Sequence, residues 1–464
     1  MKFLLNLNKT EKILPNIILG FFREGHPRSL KAKKHASIAL IYRGLNILLG
    51  LLLVPLALYY LNPEGYGIVM VLFSMSAWFS VLNIGADQGF RNKFAEALAE
   101  GNKEKAKYYV STTYAFLSVV FISFLLIFVF INSFLDWTKI LNTSPDLRKE
   151  LSILALFVFG SFCLSFILQI VITILIADQK PSVSVLKNLI EQAIKLLAVL
   201  ILIYTTTGNI LKFGVVYSIT PIIVLLFFSF YYFSNKYREF LPSFRYIHFS
   251  YLKKIMTLGL KFFILQIAGV VLFMTDNIII TQLFGPEQVT PYQIAQKYFS
   301  IPLTIFIIIL SPLWSAVTEA FYKKDFIWIK STIRKLIKLW MVLSIGIIFM
   351  ILVSPYFYHI WIGDIVHIPI LLSIFWGLFI IIQTFNNIFV SFINGTGKIT
   401  LQQYGAIFTM IINIPLSIYF AKYLNLGISG VILATVFCQS LSLIYIPIQY
   451  RKIINRNATG IWNK

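Results

Sequence analysis

Cysteine is almost missing from this sequence. Two are present, Cys163 and Cys438, each inside an apolar run. They offer no disulfide framework and no metal-binding spacing. Histidine is scarce too, at five. His359 and His367 share one short stretch but stand eight residues apart with no carboxylate pattern around them, so no metal centre is expected. Charge is low as well: Asp, Glu, Lys and Arg make up 12% of 464 residues, against 58% hydrophobic. A soluble chain could not keep that much apolar surface out of water. Acids are scarcer than bases, 18 against 40, for a formal net charge of +22. In a soluble domain that balance would suggest nucleic acid. Here the bases sit in short loops between apolar runs, where membrane topology and anionic headgroups account for them, and no nucleic-acid partner is expected.

What is present is a series of apolar runs of about 20 residues, the length that crosses a bilayer as a helix. The runs predict an all-α polytopic membrane protein with twelve spans at roughly 36–61, 66–86, 108–133, 151–177, 183–206, 211–233, 255–284, 292–318, 336–356, 368–393, 401–421 and 427–448. Before them, ILPNIILGFF is short, contains Pro15 and lacks a small-residue cleavage pattern. It reads as an interfacial amphipathic helix with Ile13, Leu14, Ile17, Ile18 and Phe21 on one face, not as a signal peptide. Five Lys and Arg fall in alternate loops: Lys139, Arg148, Lys149, Lys212 and Lys422. Four more, Arg43, Lys195, Lys261 and Lys297, fall inside spans, and the other 31 lie in the terminal tails and the remaining loops. That asymmetry puts both termini in the cytoplasm.

The longest connection on that side divides the chain into an N-terminal segment 1–35, a lobe 36–233, a linker 234–254, a second lobe 255–450 and a tail 451–464. Pro63-Glu64 and Pro286-Glu287 share one offset with Glu96-Ala97 and Glu319-Ala320, and with Lys107 and Lys330. This faint repeat suits two pseudo-symmetric six-helix bundles around a central cavity.

A charge at the bilayer centre costs about 2.5–3.5 kcal/mol on insertion scales, so depth decides which charges need a reason. Arg43 sits near the inner boundary, as a snorkelling anchor or as a cavity cation. The first two helices form a tight hairpin about residues 62–65, which places Asp87 level with Arg43, where it could orient it. In the second lobe Asp276, the deepest acid, lies about level with Lys297 and has Asn277 beside it. Lys187, Glu191 and Lys195 share one helix face, as a self-neutralising ladder or with Lys195 as a spare cavity cation. Lys261 is either a cavity cation or a snorkelling one. Polar rows add Ser161, Ser165, Gln169 and Thr173 on the fourth helix, Gln383, Asn387, Ser391 and Asn394 on the tenth, and Thr409, Asn413 and Ser417 on the eleventh. Such rows glue helices together or line water.

Several motifs carry a resemblance. They are Pro63-Glu64-Gly65-Tyr66-Gly67, LNIGADQGFRNKFAEALAEGN with Asn83, Gly85 and Arg91, YQIAQKYF, SPLW followed by Glu319, INGTGKITLQQ, and GISGVILAT. In that order, over about 36–450, the chain resembles the polysaccharide flippases of the multidrug/oligosaccharidyl-lipid/polysaccharide exporter superfamily, of the O-antigen type. Gly395-Thr396-Gly397-Lys398 lacks the spacing of a nucleotide loop. The resemblance implies two rocking bundles in a bacterial inner membrane, moving an undecaprenyl-diphosphate-linked oligosaccharide between leaflets. It implies no cofactor beyond H⁺ or Na⁺ coupling. Membrane lipids, the lipid-linked substrate and glycan-assembly proteins such as a polymerase are the expected partners. Arg43, Lys195, Lys261 and Lys297 are the candidate substrate cations. Asp87, Asp276 and Glu191 are the candidate coupling or charge-pair acids. Gln169, Asn277, Gln383, Asn387 and Asn413 are the candidate polar lining. A multidrug exporter of the same superfamily is an alternative, as is a membrane polymerase or glycosyltransferase. The latter usually needs a long outward loop, and none is long here; a scaffold would have little reason to keep interior charges.

Overall fold

The structure, a computed structural model, describes residues 27–178 and 180–463, with side chains from Ile38 on apart from a few within 258–265 and 311–322. The amphipathic stretch expected at Ile13–Phe21 lies outside the described residues. No strand occurs among the described residues. Counting helices longer than one turn, the order is α1 (Pro27–Trp78), α2 (Ala86–Ala99), α3 (Lys103–Asn132), α4 (Arg148–Leu168), α5 (Ile170–Ala177), α6 (Pro181–Thr205) and α7 (Ile210–Ser234). It continues through α8 (Phe249–Phe284), α9 (Val289–Tyr322), α10 (Phe326–Ile362), α11 (Ile370–Thr396), α12 (Thr400–Ile418) and α13 (Ile428–Ile454).

Among the described residues, ten stretches are long and apolar enough to cross a membrane. One of them, Ile38–Asn83, holds both arms of α1. The arms part at Asn62, whose φ of 65° and ψ of 172° leave the helix. Its side-chain oxygen accepts the Gly65 N–H at 2.9 Å, and Pro63, with no N–H to donate, starts the second arm. Helix α6 is 25 residues, about 37 Å, but carries Lys187, Glu191 and Lys195. Counting both arms of α1 and adding α6, the chain crosses twelve times.

Several expected spans differ from the helices that form. The 66–86 span ends at Trp78; a tight turn follows, then Ile84 and Gly85 at φ 48° and 72°, and α2 starts afresh. The 336–356 span belongs to a 37-residue helix, α10, whose polar inner turns hydropathy could not include. The 151–177 span breaks after Leu168, giving α4 and α5.

Helices α1 to α7 pack among themselves, chiefly α1 on α6 and α4 on α7. Helices α8 to α13 do the same, with α11 against α9, α10 and α13, and α12 against α8 and α13. The seam joins α1 to α8 and α9, and α2 to α8.

The apolar cores show how the halves meet. One core, near the turns at 62–65 and 285–289, draws on both halves: Leu58, Ile68, Phe159 and Phe213 from the first, Tyr292, Phe299, Trp376 and Val431 from the second. At the opposite end each half has its own core. Phe90, Phe121, Ile170 and Phe228 fill the first, joined by Ile255 of α8, and Phe306, Ile333, Phe392 and Ile446 fill the second. The two turns that echo each other in sequence touch. Thr290 Oγ1 donates to the Pro63 carbonyl at 2.6 Å, and a Cβ on Gly67 would run into the Pro286 carbonyl. The halves are therefore joined at the turn end, and toward the other end α2 packs on α8, where a Cβ on Gly89 would run into the Ile255 carbonyl.

Candidate functional site

The seam holds a polar basin of about 420 Å³. Helix α1 contributes Arg43, Asn46 and Gly50; α6 contributes Ser184, Asn188 and Gln192; α7 contributes Tyr217; α9 contributes Lys297, Ser300 and Thr304. The spacing explains the faces. Arg43, Asn46 and Gly50 recur at three and four residues, as do Lys297, Ser300 and Thr304, so each set forms one stripe on its helix. Gly50 leaves room: a Cβ there would stand 3.6 Å from Gln192 Nε2 and 3.8 Å from Lys297 Cε.

Lys195 lies at the edge of this basin, buried, with its ammonium 4.1 Å from the centre of the Tyr217 ring. It donates to Glu191 at 2.8 Å, and Lys187 bonds the other oxygen of the same carboxylate at 2.7 Å. The ladder thus carries two cations on one acid. Lys195 is also near enough to Lys297 to repel it. Three of the four candidate cations, Arg43, Lys195 and Lys297, meet around one cavity. The Lys261 side chain lies outside the described residues; its backbone is within α8.

The acids lie elsewhere than expected. Asp87 forms no ion pair with Arg43 among the described residues. The equal-depth argument took helix two as straight, whereas the break at Ile84-Gly85 redirects α2 onto α3 and α8. There Asp87 N–H donates to Asn83 Oδ1 at 3.3 Å, and its own Oδ1 is buried without a partner. Asp276 does not pair with Lys297. It accepts the Tyr292 hydroxyl, and its Oδ1 is likewise unpartnered. Tyr292 and Lys297 are five residues apart, roughly 140° around α9, so one faces the second half's interior and the other the basin. Asn277 Oδ1 accepts from Gln293 at 2.8 Å.

The polar rows divide. Gln169 is exposed at the α4–α5 break and lines neither polar cavity. Gln383 and Asn387 line a second cavity of about 260 Å³ among α8, α11, α12 and α13. Asn413 is fully buried nearby and donates to Thr435 Oγ1 at 3.1 Å. Sequence reasoning missed Asn46, Asn188, Gln192, Ser300 and Thr304 in the basin. Their spacing from Arg43, Lys195 and Lys297 carried the signal. Tyr217 had none, being one aromatic among many on α7.

The polysaccharide biosynthesis protein family matches residues 32–316, well over half of the chain, and the MatE family matches 262–419. The chain belongs to the polysaccharide biosynthesis protein family. Its apolar helices make it a multi-pass membrane protein. Two relatives bear the name "Putative O-antigen transporter". The one from Salmonella typhi is 23% identical over 65% of this chain and 68% of its own length. The one from Salmonella typhimurium is 23% identical over 84% and 89%. Among solved structures, an inward-facing multidrug resistance MATE family transporter of the MOP superfamily superposes at TM-score 0.73 and 15% identity, over 91% of this chain and 98% of that one. An outward-facing structure of such a transporter gives 0.69 at 15% identity, over 94% and 98%. A MOP superfamily transporter from Pyrococcus furiosus gives 0.66 at 16%, over 94% and 98%. These likenesses establish the fold.

Proposed function

We propose that this family member moves an undecaprenyl-diphosphate-linked oligosaccharide, the repeat unit of an O-antigen or similar surface polysaccharide, from the inner to the outer leaflet of a bacterial cytoplasmic membrane. The observation that carries the reading is the convergence of Arg43, Lys195 and Lys297 on one polar basin between the halves. Bare transfer of a charged group into hydrocarbon costs tens of kcal/mol in a Born estimate. A basin of fixed cations and amides replaces the lost water, while the lipid tail stays in the bilayer at the seam. Arg43 captures the diphosphate first, its planar guanidinium suiting two phosphate oxygens at once. The halves then rock about the seam, opening the sealed turn end outward. The lining sets two cations and a row of amides and hydroxyls beside four aliphatic side chains and the Tyr217 ring, and its cations favour an anionic carbohydrate over a cationic drug. Glu191, the acid beside the basin, is already shared by two lysines.

Binding of H⁺ or Na⁺ at Asp276 resets the cycle in this reading, and the basic loops face the cytoplasm. Lipids of the membrane and a glycan polymerase are the partners. Deleting the gene is expected to trap lipid-linked repeat units on the inner leaflet. Arg43→Gln combined with Lys297→Gln should restore less than a tenth of wild-type export in that strain, and the charge-keeping Arg43→Lys with Lys297→Arg a substantial part. Full export by the neutral pair ends the proposal.

A further inference from the structure

The second polar cavity differs from the basin in one respect: its lining holds no charged side chain among the described residues. Five amides line it instead, Gln383, Asn386, Asn387, Gln402 and Gln439, with the Phe273 and Tyr445 rings at its walls. The side-chain oxygens of Gln383, Asn386 and Gln402 are buried without a hydrogen-bond partner. Such unpartnered acceptors are costly, so a native structure that keeps three together calls for a donor to meet them. The absence of a carboxylate from the lining disfavours a hard cation, and the absence of a cation disfavours phosphate. A neutral ligand rich in O–H or N–H donors fits both absences.

Depth ties this pocket to the basin. From the turn at 285–289, Phe273 lies twelve residues back along α8, roughly 18 Å, and Ser300 lies eleven residues forward along α9, roughly 17 Å. The amide pocket and the cation basin therefore sit at one level of the molecule, one in the second half and one at the seam.

We infer that the amide pocket among α8, α11, α12 and α13 binds the sugar next to the diphosphate, a neutral hexose or acetamido sugar read by its hydroxyl and N–H donors. The inference rests on the diphosphate reading above. The second half then selects the glycan while the seam cations hold the charge common to all such lipids.

The test measures binding of farnesyl diphosphate, bare or linked to glucose, galactose or N-acetylglucosamine, to the purified full chain. At least one of these sugars is expected to lower Kd tenfold or more. Gln383→Leu with Asn387→Leu should abolish that gain while bare farnesyl diphosphate binds as before, which also shows that the variant is folded. Gln402→Leu serves as an independent second variant with the same expected loss. Equal affinity for all four ligands, or a gain that survives both variants, overturns the inference. A failure of the underlying reading looks different: bare farnesyl diphosphate would bind Arg43→Gln with Lys297→Gln as well as it binds the wild type, and the inference would fall with it.

Discussion

Glu191 holds two lysines, and its position in the fold makes it the side chain on which the basin's electrostatics turn. Its carboxylate, 15% exposed, receives Lys187 and Lys195 on separate oxygens. Removing the acid would leave two mostly buried ammonium groups with nothing to neutralise them, and breaking a buried pair from one side costs about 3–5 kcal/mol. Glu191→Gln is thus expected to lower thermal stability in detergent by an amount of that order. Adding Lys187→Met should return part of it, because one uncompensated charge goes. Lys195 keeps its contact with the Tyr217 ring in that double variant, which a cation–π contact supports only in part. Parallel unfolding curves of the single and double variants decide the matter; no recovery in the double would mean that the ladder is solvated and contributes little.

At the scale of elements, what hydropathy and charge can say is set by the bilayer. Twelve crossings were legible because hydrocarbon imposes a length, and the ladder on α6 because three charges four residues apart share a face. The NPEGYG turn was legible as a turn from Asn62, Pro63 and Gly65. Helix breaks inside apolar runs were not. Nothing in the composition of 66–86 announces that Ile84 takes a left-handed conformation, and Asp87, beyond that turn, forms no ion pair with Arg43 among the described residues. Pairing between helices was hidden for a related reason: depth along two helices says how high two residues sit, not which way they face. Asp276 and Lys297 sit at similar depth, yet α9 presents Tyr292 to one and Lys297 to the other half.

A latch between loops also belongs to this scale. Asp178, just past α5, accepts from Lys180 and from the Tyr237 hydroxyl, both at 2.5 Å, tying the α5–α6 connection to the start of the linker between halves. Burial pushes the Asp178 carboxyl up, but its bonds from Lys180 and Tyr237 and the charges of Lys180 and Lys236 outweigh that and hold it below the ordinary value. A carboxylate with a depressed folded pKa stabilises the fold above its unfolded value, about 3.9, and loses that contribution as pH falls through the folded one. Asp178→Asn should cost about 1–2 kcal/mol at pH 7. The gap to wild type should stay constant from pH 8 to 5 and close below about pH 4. A gap that narrows already between pH 7 and 6 would assign the effect to another group.

For the whole molecule, the seal at the turn end is the feature that any rocking motion has to undo. It depends on backbone approaching backbone: Gly67 meets the Pro286 carbonyl with no room for a side chain, and Thr290 bonds Pro63 beside it. A bulky residue at 67 cannot fit while the halves stay closed there, so it should shift the population toward the form open at that end. Lys297→Cys provides the reporter, since the native Cys163 and Cys438 are buried and should label slowly. In the orientation proposed above, with the termini in the cytoplasm, a membrane-impermeant thiol reagent added to intact cells approaches from the turn end. It should leave Lys297→Cys unlabelled in an otherwise wild-type chain and label it severalfold faster when Gly67→Trp is added. In inside-out vesicles the order should reverse, because opening one end of a rocking pair closes the other. Gly67→Ala should fall between the two, as the smaller intrusion. Identical labelling of all three chains from both sides would mean that the shared core near 62–65 and 285–289 is a permanent join rather than a gate, and transport would then need a route that leaves this end closed.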